Sequence, residues 1–564
     1  MYISNLISYP VILLSMAFVA SACEKNSESE DIISGIIDIE SSNDDDNIAN
    51  SVFSKIVKIK FSNSVTVDNS YEKDGVTISY SGNDVSIKST AKEVEYQLSG
   101  DCDNGSLRIE SDNKFKLLLD GVNLYSPNSP AINIQSKKRA FIVVNEGTTN
   151  SLKDGENYSD SSEDRKGTLF SEGQMIFYGN GELVISSNYK HAICSDQYVR
   201  IVESNIKVEN SAKDAVHVND AFIMDGGKLD LVATSDGIQC DEGYIYIGNG
   251  DIRISSYDDG IVTSYQGTDN TVNPSIQIKD GNIDIYTFGS SAKGIKSIGD
   301  LTIDGGSFSI ETIDKGSEGI ESKKNLVINN GKIKIIANDD CINAAKSITI
   351  NGGEIYVYSD TNDGVDSNGT LTITGGKVFS VGSGMPEEGF DCDQNTFTIT
   401  GGEIIGIGGA TSTPTANKCT QNSLLYTTQL NSGELLNLSN SDGENIFVVK
   451  MPRSLNQTTL LYSSPSLKLN NSYNIYKGGS YSQGTDFNGW ITDTDYTIGT
   501  LLKNFTASTI VNNYSSGGMG GGGGFVPGGF PRTKGELPPP PPNGEFPPFE
   551  EGEFPPPPFN EEEN

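Results

Sequence analysis

From about residue 190 onward, apolar and polar positions alternate with a period of two along short segments such as LTIDGGSFSI, LVINNGKIKI, SITINGGEIYV and LTITGGKVFSV. Alternation of this kind predicts β-strands, and no segment here sustains a helical period. The strands recur. Small-apolar pairs follow a polar turn at Ala192-Ile193, Ala215-Val216, Gly237-Ile238, Gly260-Ile261, Gly294-Ile295, Gly319-Ile320, Cys341-Ile342, Gly364-Val365 and Gly389-Phe390, in steps of 23, 22, 23, 34, 25, 22, 23 and 25 residues. A second ladder of turns keeps phase with the first, running Gly226-Gly227, Asn249-Gly250, Asp280-Gly281, Gly305-Gly306, Asn330-Gly331, Gly352-Gly353, Gly375-Gly376 and Gly401-Gly402.

A repeat of this length marks a solenoid. With two or three short strands per repeat and no helix, each repeat predicts one coil of a right-handed, single-stranded parallel β-helix. Hairpins would suit the Asn-Gly and Gly-Gly turns locally, but they do not bring equivalent residues into register over nine repeats. Coils do: like strands stack at about 4.8 Å, so Ile238, Ile261, Ile295 and Ile320 should form one buried column. A propeller blade needs nearly twice the step.

Upstream, VTISYSGNDVSIKS and GQMIFYGNGELVISS keep the alternation, which places the first coils near residue 55. From about Ile405 the strands lengthen and the Asp-Gly-Ile step disappears. Residues 405–514 therefore predict a small antiparallel β module covering the last coil, since solenoid ends need caps. The β-helix proper is expected over 55–404. Beyond it, 515–564 is a Gly- and Pro-rich acidic tail expected to be disordered.

The N-terminus changes the picture in another way. Val11 to Ala22 is apolar but short for a membrane span, and Ala20-Ser21-Ala22-Cys23 is similar to a bacterial lipobox. The expectation is a signal peptide over 1–22, lipidated Cys23, a flexible acidic tether over 23–54, and a surface-exposed place in the bacterial cell envelope. MYISNLISYP lacks Lys and Arg, and Ala20 stands where Leu is usual. Six further cysteines show no paired spacing, so a zinc site is not expected and buried thiols are.

The 564-residue chain carries 75 acids against 40 bases, a formal net charge of −35. That balance disfavours nucleic acid and anionic membrane surfaces, leaving any membrane contact to the lipid anchor. It favours divalent cations. Before each small-apolar pair stand Asp214, Asp236, Asp259, Lys293, Glu318, Asp340, Asp363 and Glu388; just after it stand His217, Gln239, Val262, Lys296, Glu321, Asn343, Asp366 and Asp391. Stacked carboxylates repel by about 1 kcal/mol per neighbouring pair in water. Two readings are open: a solvated acidic face, or Ca²⁺ held by oxygens of adjacent coils. The candidate ligands are Asp236, Asp241, Asp258 and Asp259 in one group, and Glu318, Glu321, Asp339, Asp340, Asp360, Asp363, Asp366, Asp391 and Asp393 in another.

YQLSG (Tyr96–Gly100), LLLDGVNL (Leu117–Leu124), PAINI (Pro130–Ile134), NEGTTNSLKDG (Asn145–Gly155), SSPSLKLNNSYNIYKGG (Ser463–Gly479) and the DGI…GG coils together resemble the bacterial carbohydrate-binding β-helix proteins, over roughly residues 55–510. That family is similar in fold to pectate lyases. The resemblance implies binding of acidic, polygalacturonate-like polysaccharide without turnover, with calcium on the helix, by a monomeric lipid-anchored surface protein. Lys293 and Lys296 are candidates to pair with uronate carboxylates, and Tyr257, Tyr265, Tyr286, Tyr356 and Tyr358 to stack on sugars. A calcium-dependent lyase is the rival reading, with Lys293 or Lys296 as its base. A hydrolase using paired aspartates and a structural adhesin stay open as well. With only His191 and His217 in the chain, nucleophilic triads are excluded.

Overall fold

The computed structural model describes residues 43–515. The expected signal peptide, Cys23, most of the tether and the tail from residue 516 lie outside the described residues. Within them the chain is almost wholly β, a parallel solenoid of about 13 turns followed by an antiparallel sheet.

A typical coil holds three strands, for example Ile238–Cys240, Tyr244–Ile247 and Asp251–Ser256. Each pairs in parallel with its equivalent one coil on, so the solenoid has three faces. Period-two alternation turns Ile238, Cys240, Ile245, Ile247, Ile252 and Ile254 inward, all at most 2% exposed. The expected column forms in register, Ile238 on Ile261, Ile261 on Ile295 and Ile295 on Ile320. The one long step, 34 residues, is a loop between Thr263 and Ile276 that leaves both flanking strands in register.

The two glycine ladders have different causes. Gly250, Gly281, Gly306 and Gly331 adopt φ between 97° and 128°, which side chains resist. Gly237 does not. A Cβ there would lie 2.5 Å from both Ile254 Cγ2 and the Gly260 carbonyl oxygen, so this glycine answers to packing across the coil.

The first face, built from fourteen short strands among the described residues, starts at the antiparallel hairpin Val76–Ser81/Asp84–Ser89 and ends at Phe390–Asp391. Beyond it, Glu403–Gly408 pairs antiparallel with Leu455–Ser463. A six-stranded antiparallel sheet with its own apolar cluster follows, and Trp490 meets Phe379 of the last regular coils edge-on at 6.2 Å. This buries the solenoid's open end.

Residues 43–54 differ from a flexible tether. They form two short 3-10 turns, and Asp46 is 2% exposed. Arg139 Nε and Arg200 Nη1 lie 2.8 and 3.3 Å from its carboxylate oxygens, Tyr198 donates to it at 2.7 Å, and Tyr178 donates to its carbonyl. A charge cluster at that depth forms only where its partners are fixed by the coils, which composition does not reveal. The six described cysteines are buried free thiols.

Candidate functional site

The first face carries the chemistry. Strand register aligns His217, Gln239, Val262, Lys296, Glu321, Asn343, Asp366 and Asp391 as one column pointing away from the core. The residue before each of these small-apolar pairs sits beside it and is buried in seven of the eight cases, Asp214, Asp236, Asp259, Lys293, Glu318, Asp340 and Asp363, with Glu388 partly exposed.

Those buried carboxylates have a structural job. Asp214 Oδ1 accepts from the Asp236 N–H at 3.2 Å, Asp236 Oδ1 from Asp259 at 2.8 Å, Asp259 Oδ1 from Lys293 at 2.7 Å, and Asp340 Oδ1 from Asp363 at 3.0 Å. Asp363 Oδ1 likewise accepts from Glu388. One oxygen thus holds the next coil, where the short strands leave that N–H without a carbonyl partner. The second oxygen is left for the outward column, as when Asp340 Oδ2 accepts from Asn343 Nδ2 at 3.2 Å.

Two all-carboxylate groups converge. In Asp236–Asp258–Asp259 and in Asp340–Asp363–Asp366, one oxygen from each residue lies within 4.8 Å of the others. Burial, then the charges of Asp214, Asp259 and Asp258, raises the Asp236 carboxyl to about 9. Burial followed by Asp366 raises Asp340 to about 8, and burial also dominates at Asp363, about 9. Asp366 rises to about 7 and Glu388 to about 8, in each case through burial and then Asp391. Carboxyls crowded in this way hold protons unless a cation takes their place. Glu318 Oε2, Glu321 Oε2 and Glu388 Oε2 are buried with no hydrogen-bond partner. The two convergent groups are oxygen-only donor sets, which fit a hard cation such as Ca²⁺.

The remaining expected ligands scatter. Asp241 belongs to a different group, with its Oδ2 3.3 Å from His217 Nε2. Asp339 is half-buried, Asp360 is exposed and faces Arg453 at 3.7 Å, and Asp393 is exposed, while Asp391 Oδ1 accepts from Ser412 and from the Asp393 N–H. Glu318 and Glu321 meet lysines instead. Lys293 Nζ stands 3.0 Å from Glu318 Oε1, and Lys323 pairs with Glu321.

Lys293 is 7% exposed and also donates to the Gly316 carbonyl; Lys296 donates to Asp259 Oδ2 at 2.9 Å. Placement beside acids in the neighbouring coils, Glu318 in the next and Asp259 in the preceding one, therefore commits both ammonium groups inside the ladder, where they serve as built-in cations rather than ligand-facing charges. The tyrosines divide similarly. Tyr356 is buried against Phe379 in the C-terminal core, and the Arg453 guanidinium lies over Tyr358 at 4.5 Å, so neither ring is an open platform. Tyr265, partly exposed at the start of the insertion loop, accepts from the Asp269 N–H. Tyr286 and Tyr257 pack about Phe288, with Tyr257 just past a third-face strand and directly before Asp258.

Sequence reading passed over His191. It stands before Ala192-Ile193, one step above Asp214 in the same column, and extending the alignment by one coil finds it. His191, Asp214 and His217 form a third convergent group.

A family model described as carbohydrate-binding domain-containing protein matches residues 81–364 and 315–443. A carbohydrate-binding domain-containing protein of Acetivibrio thermocellus is 30% identical over 158 residues, 27% of this chain, which spans about half (52%) of that relative's length. A polysaccharide lyase-like protein from C. thermocellum, solved as a gadolinium derivative, aligns over 56% of this chain and 96% of its own, at 22% identity and a TM-score of 0.33. The family matches together span most of the solenoid and reach into the C-terminal module: this chain belongs to the carbohydrate-binding domain-containing protein family.

Proposed function

We propose that the first face binds acidic polysaccharide without cleaving it, through calcium held at Asp340–Asp363–Asp366 and at Asp236–Asp258–Asp259, on a protein anchored to the cell envelope by lipidated Cys23. The observation that carries this reading is the buried, mutually repelling carboxylate ladder, in which one oxygen from each of three residues converges while Asp236 Oδ1 and Asp340 Oδ1 hold the backbone of the next coil. Three protein oxygens leave several of calcium's six to eight places open, and uronate carboxylates are suited to fill them. A row of such points along a solenoid matches a polymer better than a small molecule.

The binding reading gains over the lyase from the lysines. A base must reach the sugar with a free amine, and Lys293 and Lys296 are held against Glu318 and Asp259. The test is polygalacturonate binding with and without chelator, read alongside absorbance at about 235 nm for unsaturated product. Calcium-dependent retention with no absorbance supports the reading. Steady growth of absorbance would replace it with the lyase.

A further inference from the structure

Two of the three convergent groups on the first face share a plan. In Asp340–Asp363–Asp366, two residues precede the apolar pair on successive coils and the third follows it on the second coil. His191, Asp214 and His217 occupy those same three positions six coils earlier, with nitrogen replacing oxygen at two of them. The scaffold is repeated and the donor atoms are changed.

Distances within the histidine group are compatible with one ion. His191 Nδ1 and His217 Nδ1 lie 3.1 and 2.9 Å from Asp214 Oδ2. Tetrahedral donors about 2.0–2.2 Å from an ion stand about 3.4 Å apart, so a shift of a few tenths of an ångström seats one ion here. The two imidazoles lie side by side, centroids 4.2 Å apart and planes 24° from parallel. His217 Nδ1 hydrogen-bonds to Asp214, but His191 Nδ1 does not: it is buried without a hydrogen-bond partner on a residue only 6% exposed. A nitrogen of that kind, aimed at a carboxylate oxygen from outside hydrogen-bonding geometry, is a donor waiting for an acceptor of electron pairs. On the far side of the other ring, His217 Nε2 faces Asp241 Oδ2 at 3.3 Å, the outer carboxylate that orients metal-bound imidazoles in many sites.

We propose that His191, Asp214 and His217 bind a divalent first-row transition ion, Zn²⁺ above all, at a site separate from the carboxylate groups suited to calcium. Imidazole nitrogen prefers such ions, whereas calcium takes oxygen. Three protein ligands leave at least one position for water or a ligand oxygen, on the same outward column as Asp366.

The experiment is calorimetric titration of Zn²⁺ alone into the full chain, with excess Ca²⁺ present throughout. One equivalent should bind. H191Q and H217Q should each weaken it at least about 100-fold, D241N by roughly 10–100-fold, and D363N not at all. Circular dichroism and the melting temperature establish that each variant is folded; D241N serves where a histidine variant is not, because it leaves the three ligands intact. Absence of a zinc heat, or affinity unchanged in folded H191Q and in D241N, overturns the site. So does a loss in D363N equal to that in H217Q, which would make the zinc heat a property of the carboxylates.

Discussion

Removing calcium should make stability depend steeply on pH in a direction set by the carboxylate ladder. Asp340, Asp363 and Asp366 carry pKa values of about 8, 9 and 7 against ordinary values near 4. Between those limits the folded chain binds more protons than the unfolded chain, so unfolding free energy falls as pH rises. Crowded groups titrate jointly, and one shared proton is the conservative count. One proton gives a slope of about −1.4 kcal/mol per pH unit, or roughly 2.7 kcal/mol lost between pH 6 and 8. Calcium replaces that proton. At a hundredfold excess over its dissociation constant it adds about 2.7 kcal/mol, and the gain should be larger at pH 8 than at pH 6. The assay is thermal or urea unfolding across pH 5.5–8.5, in calcium and in chelator. In chelator stability should decline with pH, and in calcium the profile should flatten. A D363N/D366N double variant should lose both the decline and the calcium response. Superimposable profiles in calcium and chelator would refute the reasoning and leave the acids as a solvated face.

Other outcomes follow from packing and from the N-terminal segment. Ile320→Ala, which removes one rung from a fully buried column, should cost about 2–5 kcal/mol by urea unfolding. Gly237→Ala should cost about 1–3 kcal/mol, since its Cβ would meet Ile254 and the next coil's carbonyl at 2.5 Å; unchanged stability would deny the packing role of that glycine ladder. Asp46→Ala leaves Arg139 and Arg200 without their shared partner and should cost about 3–5 kcal/mol, with faster proteolysis around residues 43–54. Cys23→Ser should move the protein from the membrane fraction to the soluble one, and full retention on membranes would deny the lipid anchor.

The fold was legible because a solenoid repeats its evidence. Each small-apolar step is weak alone, but nine in phase leave few architectures, and the register of Ile238 on Ile261 and of Asn343 on Asp366 follows from spacing. Side-chain commitments were less legible. Lys293 and Lys296 stand out in the sequence as breaks in an acidic column, yet whether a lysine faces solvent or the carboxylate one coil on depends on rotamer and local depth. Tyr356 alternates correctly for an outward residue, but the C-terminal module covers it, and that module begins about fifty residues further along the chain. His191 was hidden by alignment: counting the column from Asp214 stopped one coil short. Asp46 sits in a composition that signals disorder, and only its partners on distant coils, Arg139, Tyr198 and Arg200, give it a place.

The central claim is that calcium on the first face joins the protein to an acidic polymer. Polygalacturonate affinity electrophoresis of the full chain, run in calcium, in chelator and with D363N/D366N, tests it most directly. Retardation should be strong in calcium, lost in chelator and lost in the double variant, while a neutral polymer such as cellulose should give no calcium-dependent retardation. Equal retardation in chelator, or in the folded double variant, would contradict the claim.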